Sequence, residues 1–123
     1  MTGAFPFTDV MAWAAAMGLA FIVSDWVTGT GAAAKLHELS SSVMREGLWH
    51  KAGEVAVMAL AYLLEVGSAH LDLGFTAPLF VPACVYVILN ETASILENIA
   101  VLNPELANSR LMQLFKSSKD SEQ

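Results

Sequence analysis

The chain contains three long apolar stretches separated by polar segments. Uncharged runs cover residues 10–24, 55–64 and 73–90. A helix needs about 20 mainly apolar residues to cross the hydrocarbon core of a bilayer, and continuing the first two runs into their flanks supplies that length. The pattern therefore predicts three transmembrane helices. They cover about residues 10–27, 53–71 and 73–90.

The composition supports a membrane protein. Of the 123 residues, 55% are hydrophobic and only 15% are charged, and the mean hydropathy is +0.53. These values lie outside the usual range of small soluble domains. We predict an all-α integral membrane protein whose single domain covers residues 1–123. That length leaves no room for a separate catalytic domain, so we do not expect an enzyme.

The basic residues predict an orientation. All six lie either in the linker, residues 30–51, or in the tail, residues 98–123. Short segments rich in Lys and Arg remain cytoplasmic, so we expect an external N-terminus and a cytoplasmic C-terminus. In the linker, Lys35, Arg45 and Lys51 are suited to bind lipid phosphates of the inner leaflet.

One face of the first span consists of small side chains. They recur at every fourth position: Ala12, Ala16, Ala20, Ser24 and Thr28. Such faces let helix backbones approach closely in lipid and mark contacts between helices. The sequence leaves open whether this face packs within the chain or against another copy.

Several polar side chains fall in or beside the spans, and we predict that they form a hydrated or pore-lining face. The candidates are Asp25, Glu65, Glu91, Ser94, Glu97 and Asn98. Glu65 lies either deep in the hydrocarbon, where it must be protonated, paired or hydrated, or at the external surface if its span starts later. The residues from Glu91 onwards either line a lumen or form an amphipathic helix end emerging into the cytoplasm, and we favour the second alternative.

Local signals predict the ends of the helices. The segment 28–31, with two glycines, favours ending the first helix, and Pro82 favours a kink in the third. The three serines at 40–42 are suited to cap a second helix that begins near Val43 and enters its span unbroken.

Other chemistry has little support in the sequence. The net charge of −6 argues against nucleic acid as a partner, and the lone Cys84 excludes an intramolecular disulfide. His50 and Glu54 share a helix face, but two ligands fall short of a zinc site. We expect no metal and no cofactor.

Two segments resemble a known family. The linker 35–51 and the run 91–98, which reads ETASILEN, are similar to the regions after the first and last spans of phage holins of the toxin-secretion and phage-lysis type. Asp25 with the following Thr28 and Gly29 is similar to the end of the first span in that family. The tail departs from the family pattern because it is only weakly basic.

The resemblance implies a multi-pass protein of the bacterial cytoplasmic membrane that forms homo-oligomeric pores in the lipid. Such pores release an endolysin or a toxin without any need for direct contact with it. A small oligomeric ion channel and a non-permeabilising antagonist of a pore remain as alternatives from the sequence.

Overall fold

A computed structural model describes residues 6–107, 109, 113 and 114. Three long helices account for most of this part of the chain. They are α1 (Asp9–Lys35), α2 (Ser41–His70) and α3 (Phe80–Leu102), followed by the short α4 (Pro104–Ala107). The prediction of an all-α fold is confirmed, and each long helix is long and apolar enough to cross a membrane.

The first helix is longer than the sequence predicted. It continues through the Gly29 and Gly31 pair to Lys35. The helix continues through both glycines, and the missing side chain of Gly29 allows close packing, since a Cβ there would lie 3.4 Å from Asn98 Nδ2. After Lys35 the chain leaves the helix through His37, whose φ of 58° is left-handed, with the Glu38 N–H donating to the Ala33 carbonyl.

The second helix begins where the serines predicted. Ser40 is its N-cap, and the Ser40 Oγ accepts a hydrogen bond from the Val43 N–H at 3.2 Å. The helix then runs without interruption to His70. The predicted helix that continues from the serine cap into the second apolar stretch is thus confirmed.

The third helix begins later than predicted. Residues 73–79 are not helical, and α3 starts at Phe80 and extends to Leu102, so the stretch 73–90 is not one helix. Pro82 lies in the first turn of α3, where a backbone N–H would have no acceptor within the helix, so proline costs no hydrogen bond there. The expected kink at Pro82 is therefore not found, because the helix has only just begun. The polar run from Glu91 therefore lies inside the third helix rather than after its end.

The helices form an up-down-up bundle in which α1 packs most extensively on α3. The short turn 36–40 joins α1 to α2 at one end of the bundle, which we call the turn end. The segment 71–79 joins α2 to α3 at the opposite end, which we call the loop end. At the turn end, Lys35 Nζ donates to the Val101 and Leu102 carbonyls at 2.7 and 3.2 Å, so α1 and α3 run in the same direction.

The apolar core fills the half of the bundle nearest the loop end. It contains Met11, Ala14, Ile22, Met58, Phe80, Cys84 and Val87. Three aromatic rings pack together at the loop end of this core. The Tyr62 ring lies 5.8 Å from the Phe7 ring and 5.5 Å from the Phe80 ring. The Tyr62 hydroxyl also donates to the Pro6 carbonyl at 2.7 Å, which ties the segment before α1 to α2.

The predicted cytoplasmic tail, residues 98–123, is only partly covered. Its first residues belong to α3 and α4. The three basic positions predicted within the tail, Arg110, Lys116 and Lys119, lie outside the described residues.

Candidate functional site

A cluster of charged and amide side chains joins all three long helices. At its centre, Lys51 of α2 forms ion pairs with Asp25 of α1 and with Glu91 of α3, the latter at 2.5 Å between Nζ and Oε2. The side chain of Lys51 is 13% exposed and that of Glu91 is 2% exposed. One cation is therefore shared by carboxyl groups on both neighbouring helices, inside helices long and apolar enough to span a membrane.

An amide completes the environment of Asp25. Asn98 Nδ2 donates to Asp25 Oδ1 at 2.9 Å and to Thr28 Oγ1 at 3.0 Å. Asp25 thus has partners on α2 and α3, while Gly29 leaves space for the amide between α1 and α3. The α1 and α3 backbones therefore approach closely at the same place where Asn98 forms its hydrogen bonds.

Glu54, one helical turn after Lys51, adds a third carboxyl group. Its Oε1 lies 4.0 Å from Lys51 Nζ, and its Oε2 accepts from Asn90 Nδ2 at 3.4 Å. Glu54 Oε1 is buried and accepts no hydrogen bond from the described residues. Three carboxyl groups, those of Asp25, Glu54 and Glu91, therefore surround one ammonium group, and this excess of negative charge is costly to bury without water or further partners.

A cavity of about 490 Å³ extends from this cluster towards the turn end. Its walls include both polar and apolar side chains from all three helices, and the cluster residues Asp25, Lys51 and Glu91 belong to its lining. Ser94 and Glu97 also line it. The turn-end half of the bundle thus contains a cavity lined in part by the charged cluster, whereas the apolar core fills the loop-end half.

The structure brings together most of the predicted polar face. Asp25, Glu91, Ser94, Glu97 and Asn98 all line the cavity. Glu65 lies elsewhere: its Oε1 accepts a hydrogen bond from the Phe80 N–H at 2.8 Å and so caps the start of α3 at the loop end. This contact supplies a side-chain acceptor that α3 lacks at its own N-cap residue.

The small-residue face of α1 points away from the bundle. Ala12, Ala16, Ala20 and Ser24 are all exposed, while the inward face of α1 carries Met11, Ala14, Gly18, Ile22 and Asp25. Within the chain, this small face contributes no buried residue. Packing inside one chain is therefore limited to Thr28, whose Oγ1 accepts a hydrogen bond from Asn98 of α3. The other four residues of this face are free to contact another copy.

The three basic residues predicted to bind lipid have different environments. Arg45 is exposed near the start of α2, and Lys35 is exposed while it donates to the last carbonyls of α3. Lys51 is directed into the ion cluster. Among the described residues, no group of three or more His, Cys, Asp or Glu side chains is arranged to hold a metal ion.

Glu54 is a member of the cluster that was not predicted from the sequence, and Lys51, predicted to bind lipid phosphates, lies at its centre. The spacing of residues along α2 does indicate which side chains face the other two helices. Alternating steps of three and four residues lead along α2 through Lys51, Glu54, Met58, Ala61, Glu65 and Ser68. Because such spacing keeps side chains on one seam, the buried Met58 and Ala61 indicate that Lys51 and Glu54 face the same way.

The chain is similar to one described family. The model of the bacteriophage holin family matches residues 5–119, nearly the whole chain. No curated protein and no solved structure matches it.

Proposed function

The chain belongs to the bacteriophage holin family, and from this premise we propose that it assembles with copies of itself in the bacterial cytoplasmic membrane and permeabilises it at a set time. The hole would release an endolysin or a protein toxin. The family consists of pore-forming, non-enzymatic membrane proteins. The observation that carries the proposal is the ion cluster that joins three spans around Lys51.

Ionisable side chains inside a membrane span are costly when they face lipid and are tolerated when they are paired or hydrated. In the single chain, Asp25 and Glu91 are paired with Lys51. In a ring of copies, the same groups would face a water-filled lumen. The proposed hydrated face comprises Asp25, Glu91, Ser94, Glu97 and Asn98, with Glu65 as a separate member at the loop end.

The outward face of α1 supports self-association. Its small side chains are exposed in the single chain, and small faces allow close backbone contact between helices in lipid. We propose that Ala12, Ala16, Ala20 and Ser24 form the contact between copies. Replacing Ala16 with Leu on this face should reduce cross-linking between copies, whereas Leu60→Ala on the exposed face of α2 serves as the control.

The charge distribution supports an orientation with the turn end in the cytoplasm. Lys35 and Arg45 lie at that end, and the segment 71–79 at the loop end contains no Lys or Arg. The positive-inside rule counts basic residues in short loops, so it favours an external loop end. We propose an external N-terminus, a cytoplasmic C-terminus and contact of Lys35 and Arg45 with lipid phosphates of the inner leaflet.

Expression in bacteria tests the proposed function. The protein is induced with and without a cytoplasmic endolysin that lacks an export signal, and turbidity and membrane potential are recorded together. We expect an abrupt loss of potential in both cultures and lysis only with the endolysin. Loss of potential without lysis would instead indicate a small ion channel, and an unchanged potential would indicate an antagonist or a structural protein.

Variants test the proposed hydrated face. We expect Glu91→Gln to change the time of depolarisation and to reduce the size of the largest solute released, since the lumen loses a ring of charges. Glu105→Gln on α4 changes the same group at an exposed position outside the long helices and should have neither effect. If Glu91→Gln and Glu65→Gln each left both readouts unchanged, these carboxyl groups would not line the hole.

A further inference from the structure

The two halves of α2 are attached to the bundle in different ways. All of its buried residues, Met58, Ala61, Val66 and Ser68, lie in the half nearest the loop end. None of residues 41–57 is buried, and the cavity separates much of this half from α1 and α3. The turn-end half therefore lacks the apolar packing that fixes the rest of the helix.

Polar contacts take the place of that packing. Lys51 binds Asp25 and Glu91, and Glu54 accepts a hydrogen bond from Asn90 at 3.4 Å. Beyond the cluster, towards the turn end, Gly47 has open space where a side chain would project. Because Glu54 lies one residue nearer the loop end than Gly53, the position of α2 before Gly53 depends mainly on the ammonium group of Lys51.

Gly53 lies between the two halves. It separates the ion-paired Lys51 from the packed Met58, and nothing lies within 4 Å of the position that its Cβ would occupy. A glycine inside a helix weakens it locally, and no packing contact requires a glycine here. This residue is therefore suited to act as a pivot.

From these observations we propose that Lys51 is a latch. While it is paired with Asp25 and Glu91, it holds the turn-end half of α2 against α1 and α3. When the latch opens, that half of α2 swings outwards about Gly53, the loop-end half stays packed, and the polar groups of the cavity become available to water and to other copies. This inference deepens the proposed function and rests on it for its biological meaning, but the motion itself is a property of one chain.

Distances between spin labels test the latch on the purified protein in detergent micelles. One pair of labels reports on the turn end, at Leu48→Cys and Leu102→Cys, and a second pair reports on the loop end, at Leu63→Cys and Val85→Cys. All four native side chains are exposed. Cys84 is fully buried. It is replaced by Ala in all labelled variants, so that the native thiol cannot react with the spin label.

We expect Lys51→Met to lengthen and broaden the turn-end distance while the loop-end distance stays unchanged. Lys51→Arg, which keeps the charge, should retain the parent distance at both ends. An unchanged turn-end distance in Lys51→Met would overturn the proposal, and so would an equal change at both ends, because that result indicates general loosening of the bundle.

The same variants link the motion to lysis in cells. Lys51→Met should shorten the delay before depolarisation by about twofold or more, because the open arrangement is more populated, and Gly53→Ala should lengthen it. The label distances need no hole to form. A latch that moves in micelles without any depolarisation in cells would therefore refute the proposed function alone, whereas depolarisation with an unmoved α2 would refute the latch alone.

Discussion

Asn98 offers the sharpest test of the contact between α1 and α3. Its Nδ2 carries two hydrogens, and the nearest acceptors are Asp25 Oδ1 at 2.9 Å and Thr28 Oγ1 at 3.0 Å. An interhelical hydrogen bond in a membrane protein contributes about 0.6 kcal/mol on average and up to about 1.7 kcal/mol. Asn98→Leu removes two such bonds, one of them to a carboxylate, so we expect it to lower the free energy of unfolding by about 2 kcal/mol.

Asn90→Leu is the matched control. It makes the same exchange on the same helix, but Asn90 is exposed and, within the described part of the chain, donates to Glu54 alone at a longer 3.4 Å, so a loss of about 0.5 kcal/mol is expected. The free energy of unfolding of both variants is measured by reversible unfolding in mixed micelles with increasing SDS, with tryptophan fluorescence as the signal. Equal losses in the two variants would refute the reasoning, since they would show that the contacts of Asn98 have no special value.

Three further predictions concern the loop-end half. Glu65→Ala should speed hydrogen exchange at the Phe80 amide, whereas Glu65→Gln should largely preserve its protection because an acceptor remains. Tyr62→Phe should lower the free energy of unfolding by about 1 kcal/mol in the same SDS titration, since the hydrogen bond to the Pro6 carbonyl is lost while the ring packing is kept. Maleimide should leave Cys84 unmodified in micelles and react with it after unfolding in SDS, as judged by mass spectrometry.

Hydropathy was sufficient to predict the number of long apolar helices, because a helix that can cross a bilayer needs about 20 mainly apolar residues. The start of α3 was not predictable from hydropathy alone. Residues 73–79 are as apolar as the helix that follows, and the structure resolves the ambiguity through Gly74, whose φ is 84°, and through the cap from Glu65. That cap comes from a different helix, so no local pattern reveals it.

The partners of Lys51 were likewise hidden in the sequence. A basic residue near the end of an apolar stretch is equally compatible with lipid phosphates and with an ion pair. The choice depends on which carboxyl groups the neighbouring helices present at the same height, and Asp25 and Glu91 are 26 and 40 residues away along the chain. Asp25 and Glu91 were predictable as members of a polar site because they carry charges in or beside apolar stretches, but their pairing with Lys51 was not.

Each long helix carries an inward seam that changes character along its length. In α1 the seam passes from Ile22 to Asp25, in α3 from Val87 to Glu91, and in α2 the reverse order leads from Lys51 to Met58. The apolar halves coincide at the loop end, where burial holds them together without charge. The polar halves coincide at the turn end, where attraction depends on ion pairs and hydrogen bonds and weakens as water enters. Any separation of the three helices should therefore start at the turn end. Water can hydrogen-bond to the polar side chains that come apart there, whereas the apolar side chains at the loop end gain no such interaction.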